Sequence, residues 1–263
     1  MLDLSFSVQD LEYFLLIFVR ITAFLVSAPF YSTANVPHRF KVGLGFFISM
    51  MIYQFVVPHF ALEYNTVIGY SILVLKEAIA GVFIGLSANL PIAILTFAGK
   101  IMDMEAGLSM MNIFDPTTRV SEGFTGMMYH YMVLLMLMIS GMHRYIISAF
   151  VDTYSLFRVG QILFDTDALF STSVRFMTEY MVIGFRICLP VFAAILVINV
   201  ILGINAKVAP QMNMFAVGIQ IKLLAGLAIM MLITALMPTV SSFIYEQIKG
   251  MMQLAIDAIH SAV

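Results

Sequence analysis

Residues 78–99 read AIAGVFIGLSANLPIAILTFAG, a run with no Asp, Glu, Lys or Arg. An α-helix rises about 1.5 Å per residue, and about 20 apolar residues are needed to cross a hydrocarbon core of roughly 30 Å. The run is therefore membrane-sized. Five more charge-free runs reach 18 residues or longer: 21–38, 42–62, 123–143, 187–206 and 223–245. Only helices and closed barrels satisfy their backbone in lipid, and continuously apolar runs lack the alternation of a barrel strand. The reading is an all-α integral membrane protein of about six long, bent hydrophobic helices arranged as helical hairpins.

Composition agrees. Of 263 residues 62% are hydrophobic and 11% charged, and the mean hydropathy is +1.00. A soluble domain carries about twice that share of charge. The net charge of −2 provides no basic field for nucleic acid. Cys188 is the only cysteine, which excludes an intramolecular disulfide and makes a cysteine metal site implausible. Trp is absent, leaving Tyr as the main interfacial anchor. The opening residues carry Asp3, Asp10 and Glu12 and no base, unlike a cleavable signal peptide, so the first apolar segment is read as retained.

Outward from the quoted run, segment one has its core at about 11–28 and includes Arg20. A turn-like linker at 31–37 leads to segment two, about 42–58, which stops at Pro58. Segment three runs from about Thr66 to Phe97. The most polar stretch, 100–124, precedes segment four at 125–142. Residues 143–159 read as a separate amphipathic helix, because Arg144, Ser148, Asp152, Ser155 and Arg158 form one stripe at helical spacing. Segments five (about 174–204) and six (about 212–247) flank a polar turn with Lys207 and Pro210 and form a hairpin. Alternate loops carry five and four basic residues, so the positive-inside rule leaves orientation undecided.

Arg20, Lys76, Glu77, Arg186 and Lys222 lie inside or at the edges of apolar segments. A charge at the bilayer centre costs roughly 2.5–3.5 kcal/mol on insertion scales, so these residues, with Lys207 in the polar turn, are expected to face protein or water. Two readings stand: a polar pathway, or structural pairing and snorkelling between packed helices. Pro91, Pro190 and Pro238 should bend their helices, either to line a substrate site or to curve around an assembly. Gly81 and Gly85 permit close helix approach. The apolar stretch 107–118 is too short to span; it either docks on the helices or re-enters a pore as a seal in which flexible Met side chains deform.

Catalytic constellations are missing from the sequence. The five His are scattered, and HExxH, GxSxG and phosphate-loop patterns are absent. No enzyme, cofactor or metal is expected.

Three stretches carry a family resemblance. They are Ala28-Pro29-Phe30 through Val36-Pro37 and Lys41; Gly107-Leu108-Ser109 through Phe114-Asp115-Pro116; and Lys207-Val208-Ala209-Pro210-Gln211-Met212-Asn213-Met214-Phe215-Ala216-Val217-Gly218. In these, and in the length and order of its segments, the whole chain resembles the FliR family of the flagellar type III export apparatus, with its injectisome counterparts. The resemblance implies a FliP-like portion at 1–175, with a pore loop at about 100–124, and a FliQ-like hairpin at 176–263. It implies a place in a gate with FliP-like and FliQ-like subunits beside FlhB-like and FlhA-like proteins, at the basal body in the bacterial inner membrane, passing unfolded protein substrates. It further implies that 107–118 plugs the closed channel, with Met110, Met111, Ile113 and Phe114 as the apolar tip between Gly107 and Asp115-Pro116. The alternatives are injectisome service, a small-molecule or ion transporter using Arg20, Lys76 and Glu77, and a scaffold with no pore-facing residue.

Overall fold

The computed structural model describes residues 8–33, 36–55, 62, 64, 66–108, 123–209, 211 and 213–260. Every regular element among them is helical: α1 (Val8–Ser27), α2 (His38–Phe55), α3 (Val67–Ala106), α4 (Phe124–Ile139), α5 (Met142–Leu156), α6 (Thr166–Val208), α7 (Met214–Thr234) and α8 (Met237–His260). The all-α fold read from the charge-free runs is the fold observed. With 40 and 43 residues, α3 and α6 are about 60 and 65 Å long, roughly twice the thickness of a hydrocarbon core.

Among the described residues three helices are long and apolar enough to cross a membrane, within α3, α6 and α7, or up to four if α4 and α5 form one broken span. The runs that suggested segments one and two also form helices. However, α1 carries Asp10, Glu12 and Arg20, and α2 has 18 residues with Arg39 and Lys41 in its first turn. Segment six divides into α7 and α8 at Ala235–Leu236. Pro91 and Pro190 lie inside continuous helices, whereas Pro238 is the second residue of α8. A first-turn proline has no N–H to satisfy and its fixed φ suits the helix start, so Pro238 begins a helix where a mid-helix bend was expected. α6 ends at Val208 and α7 begins at Met214, and the Asn213 side chain caps α7 by accepting from the Ala216 amide.

The chain forms two compact units. The first comprises 1–90, 141–176 and 246–263; the second comprises 91–140 and 177–245. The boundaries fall at Pro91 in α3, at the break between α4 and α5, and inside α6 and α8.

In the first unit, α1 buries Tyr13, Leu16, Ile17, Arg20, Ile21 and Phe24, a stripe at helical spacing. Phe24 stacks on Phe150 of α5 with centroids 3.9 Å apart. The polar stripe of α5 faces outward and Met142, Ile146, Phe150, Thr153 and Tyr154 face inward. Gly81 and Gly85 sit where α1 crosses α3. A Cβ at Gly81 would collide with the Arg20 carbonyl, and one at Gly85 with the Ser27 hydroxyl. Backbone contact of this kind needs the missing side chain. Tyr64 donates to the Glu12 carboxylate, a bond that holds its phenol above the ordinary value, and Tyr70 donates to the Glu12 carbonyl. Phe176, Met251 and Ala255 close the unit against Phe83 and Leu90.

In the second unit, Ile92, Leu95, Ala98 and Met102 of α3 are buried, as are Tyr129, Val133 and Leu137 of α4. Here too the helices cross on glycine: a Cβ at Gly99 would strike the backbone of Gly126. Gly226 of α7 seats against Ala106, where an added Cβ would lie 2.6 Å from its methyl.

Candidate functional site

The stretch expected to seal a channel begins at Gly107, and its base is built in the second unit. Gly107 has φ 80°, in the left-handed region, and its amide bonds to the Met104 carbonyl at 3.3 Å, closing α3. A glycine just past the last helical turn adopts this conformation without the Cβ penalty. Met110, Met111, Ile113, Phe114, Asp115 and Pro116 lie outside the described residues.

The return side is built differently. α4 opens at Gly123, which has no side chain with which to cap the free amides of the first turn. The cap comes from Asp103, in the last turn of α3. The Thr125 amide donates to both Asp103 oxygens, at 3.1 and 3.3 Å, and the Thr125 hydroxyl donates to Oδ1. Asp103 is only 3% exposed. A buried carboxylate is tolerable when hydrogen-bonded, and a helix N-terminus favours negative charge. Any side chain at Gly123 would run into Asp103 Oδ2, so contact fixes glycine here even though its φ is an ordinary −58°. Thr125 Oγ1 also lies 2.9 Å from the Met230 sulfur, and Tyr129 donates to the Met230 carbonyl at 3.0 Å. The first two turns of α4 are thus fastened to α3 and α7.

The first unit holds a second polar node. Arg20 Nε pairs with Glu77 Oε2, and both side chains are fully buried. Glu77 Oε1 accepts from the Gly160 amide at 2.7 Å. The guanidinium carbon lies 4.4 Å from the Tyr154 ring centroid and 5.1 Å from that of Phe157, so two aromatic faces flank the charge. Tyr154 donates to the Ile17 carbonyl. Gly160 has φ 78°, which turns its amide toward Glu77 at little conformational cost.

Of the six charges expected to face protein, only Arg20 and Glu77 are brought together. Lys76 and Lys222 are half-buried, and Arg186 and Lys207 are exposed on the single chain. Among the described residues no cluster of three or more His, Cys, Asp or Glu could hold a metal. The sequence reading gives Asp103, inside the polar 100–124 stretch, no role of its own. The usable signal was Asp103 one turn before a glycine that ends an apolar helix, with Gly123 opening the next.

An all-helical chain with membrane-length apolar helices and charges paired inside the protein is an integral membrane component. The family model for "Bacterial export proteins, family 1" matches residues 11–248. The chain is 28% identical to the flagellar biosynthetic protein FliR of Bacillus subtilis, over 94% of this chain and 93% of that one. It is 27% identical to FliR of Escherichia coli, over 92% and 90%, and 28% identical to FliR of Aquifex aeolicus, over 83% of both. The chain belongs to the bacterial export proteins of family 1, the FliR family.

Proposed function

We propose that this chain is a subunit of the flagellar protein-export apparatus in the bacterial inner membrane, and that it forms part of the gate for unfolded substrates. The observation that carries this reading is the family match across 11–248, with FliR relatives aligned over nine-tenths of the chain. The names of these relatives favour flagellar over injectisome service.

Partners are the FliP-like and FliQ-like subunits, with FlhB-like and FlhA-like proteins nearby. The exposed surface supports this reading. The most apolar window of α3 is 56% buried within the chain, whereas that of α6 is 17% buried, leaving Leu189, Phe192, Leu196 and Val200 uncovered. Apolar surface on this scale needs lipid or protein against it. A helix about 65 Å long exceeds what lipid alone can cover, so partner subunits take part of α6.

In this reading the gate works passively. The 107–118 stretch closes the channel at rest, with Met110, Met111, Ile113 and Phe114 against the channel wall, and flexible side chains deform around a passing chain. A small-molecule transporter is disfavoured because Arg20 and Glu77 bind one another in a sealed core. Deleting the gene in its host tests the proposal: secretion of flagellar substrates and motility should be lost while growth continues. Undiminished secretion would overturn it.

A further inference from the structure

We propose that the lipid bilayer meets this chain along one face of α6 between Arg186 and Lys207, and that these two bases bind phospholipid phosphates in opposite leaflets.

The first observation is a length. Residues 187–206 carry no Asp, Glu, Lys or Arg, and a base stands at each end of the run. Arg186 and Lys207 are 21 positions apart in one continuous helix, which is about 32 Å, against roughly 30 Å for a hydrocarbon core.

The second is a face. From Arg186 through Leu189, Ala193, Val197, Val200 and Ile204 to Lys207 the steps are 3, 4, 4, 3, 4 and 3, one side of a helix. All of these residues are exposed. The amides of the run, Asn199 and Asn205, fall off this stripe, and Lys222 lies on α7, half-buried. The stripe is therefore apolar over one core thickness and cationic at both edges.

The third is a further base at one edge. Within the second unit Phe97 of α3 packs edge-on against Phe185 of α6, with ring centroids 6.0 Å apart. A Cβ at the neighbouring Gly184 would collide with the Phe97 ring. Lys100 follows Phe97 by three residues and Arg186 follows Phe185 directly, so two exposed bases stand close to one level on adjacent helices.

Among the described residues no carboxylate pairs with Arg186, Lys207 or Lys100. A charge bordering hydrocarbon needs a polar partner, and the headgroup layers of an anionic bilayer supply one at both levels. Arginine takes phosphate oxygens two at a time, and a lysine stem lies along apolar surface while its ammonium reaches the headgroups. An acid on a partner subunit would satisfy either base singly. It would not account for two bases set one core thickness apart on a wholly apolar stripe. Partner subunits are then left the 166–185 part of α6, which the bilayer does not reach.

The test uses the whole export complex. p-Benzoylphenylalanine placed at Val197, in the middle of the stripe, should on illumination in cells give a phospholipid adduct and none with another subunit. The purified complex would then be loaded with phosphatidylglycerol in nanodiscs, stripped with mild detergent and weighed. Arg186→Gln combined with Lys207→Gln should assemble normally, because both side chains are exposed, and retain severalfold less phosphatidylglycerol than the parent. The charge-keeping pair Arg186→Lys and Lys207→Arg should retain nearly the parent amount. A subunit adduct at Val197, or no lipid adduct, overturns the bilayer placement. Equal lipid retention in the Gln pair, or an equal loss in the charge-keeping pair, overturns phosphate binding. Absence of the Gln pair from the complex assigns the two bases to partner acids and overturns it as well.

Discussion

Arg20 of α1 and Glu77 of α3, 57 positions apart in sequence, meet as a fully buried ion pair whose second carboxylate oxygen takes the Gly160 amide. Removing one member of such a pair strands the other charge in the interior, at about 3–5 kcal/mol, whereas replacing both by apolar residues can be nearly neutral. Arg20→Ala and Glu77→Ala should therefore each lower the melting temperature of the detergent-solubilised protein sharply. Arg20→Met combined with Glu77→Leu should recover most of the loss. Thermal unfolding of the four proteins checks this, and a double variant no better than the singles would contradict it.

The same face of α3 predicts a steric result. Glu77, Gly81 and Gly85 are spaced four apart, and the two glycines admit the α1 backbone. Gly81→Ala and Gly85→Ala should reduce the amount of folded protein in the membrane, because the Cβ meets the Arg20 carbonyl or the Ser27 hydroxyl. A Cβ at Gly43 meets nothing within 4 Å, so Gly43→Ala should accumulate normally. Quantitative immunoblotting of membranes distinguishes the three.

Tyr129 offers a smaller, cleaner change. Its hydroxyl is bonded to the Met230 carbonyl inside the core of the second unit. Tyr129→Phe keeps the ring and removes one hydrogen bond, so stability should fall by about 1 kcal/mol. Met230 still receives the Thr234 hydroxyl at 2.9 Å, which limits the loss. Denaturant unfolding in detergent measures the difference.

Cys188 is the chain's only thiol and is 2% exposed. In native membranes a maleimide should label it slowly, and denaturation in dodecyl sulfate should make labelling fast. Equal rates in both states would contradict the burial of this face of α6.

Much of the fold was legible because membrane helices announce themselves by charge-free length. The end of α6 at Val208 and the stripe of α5 followed from polar interruption and 3.6-residue periodicity. The break between α7 and α8 was hidden, because 223–245 reads as one run and only the first-turn preference of Pro238 hints at it. The site was half legible. The cost of burying charge required Arg20 to have an acidic partner, and Glu77 is the one acid among the five charges at the apolar segments. The glycines at four and eight residues beyond Glu77 lie on the same helical face and mark it as the face that meets α1. Asp103 was missed because its partner, Thr125, lies on the far side of the 107–118 stretch, and a cap supplied by another helix leaves no local signature.

The mass of the intact complex tests the central claim most directly. The chain would be tagged at its C-terminus, extracted from its native membrane in mild detergent and weighed with its partners. A large hetero-oligomer containing small hydrophobic FliP-like and FliQ-like subunits is the predicted result. A monomer or homodimer without partners would contradict the account.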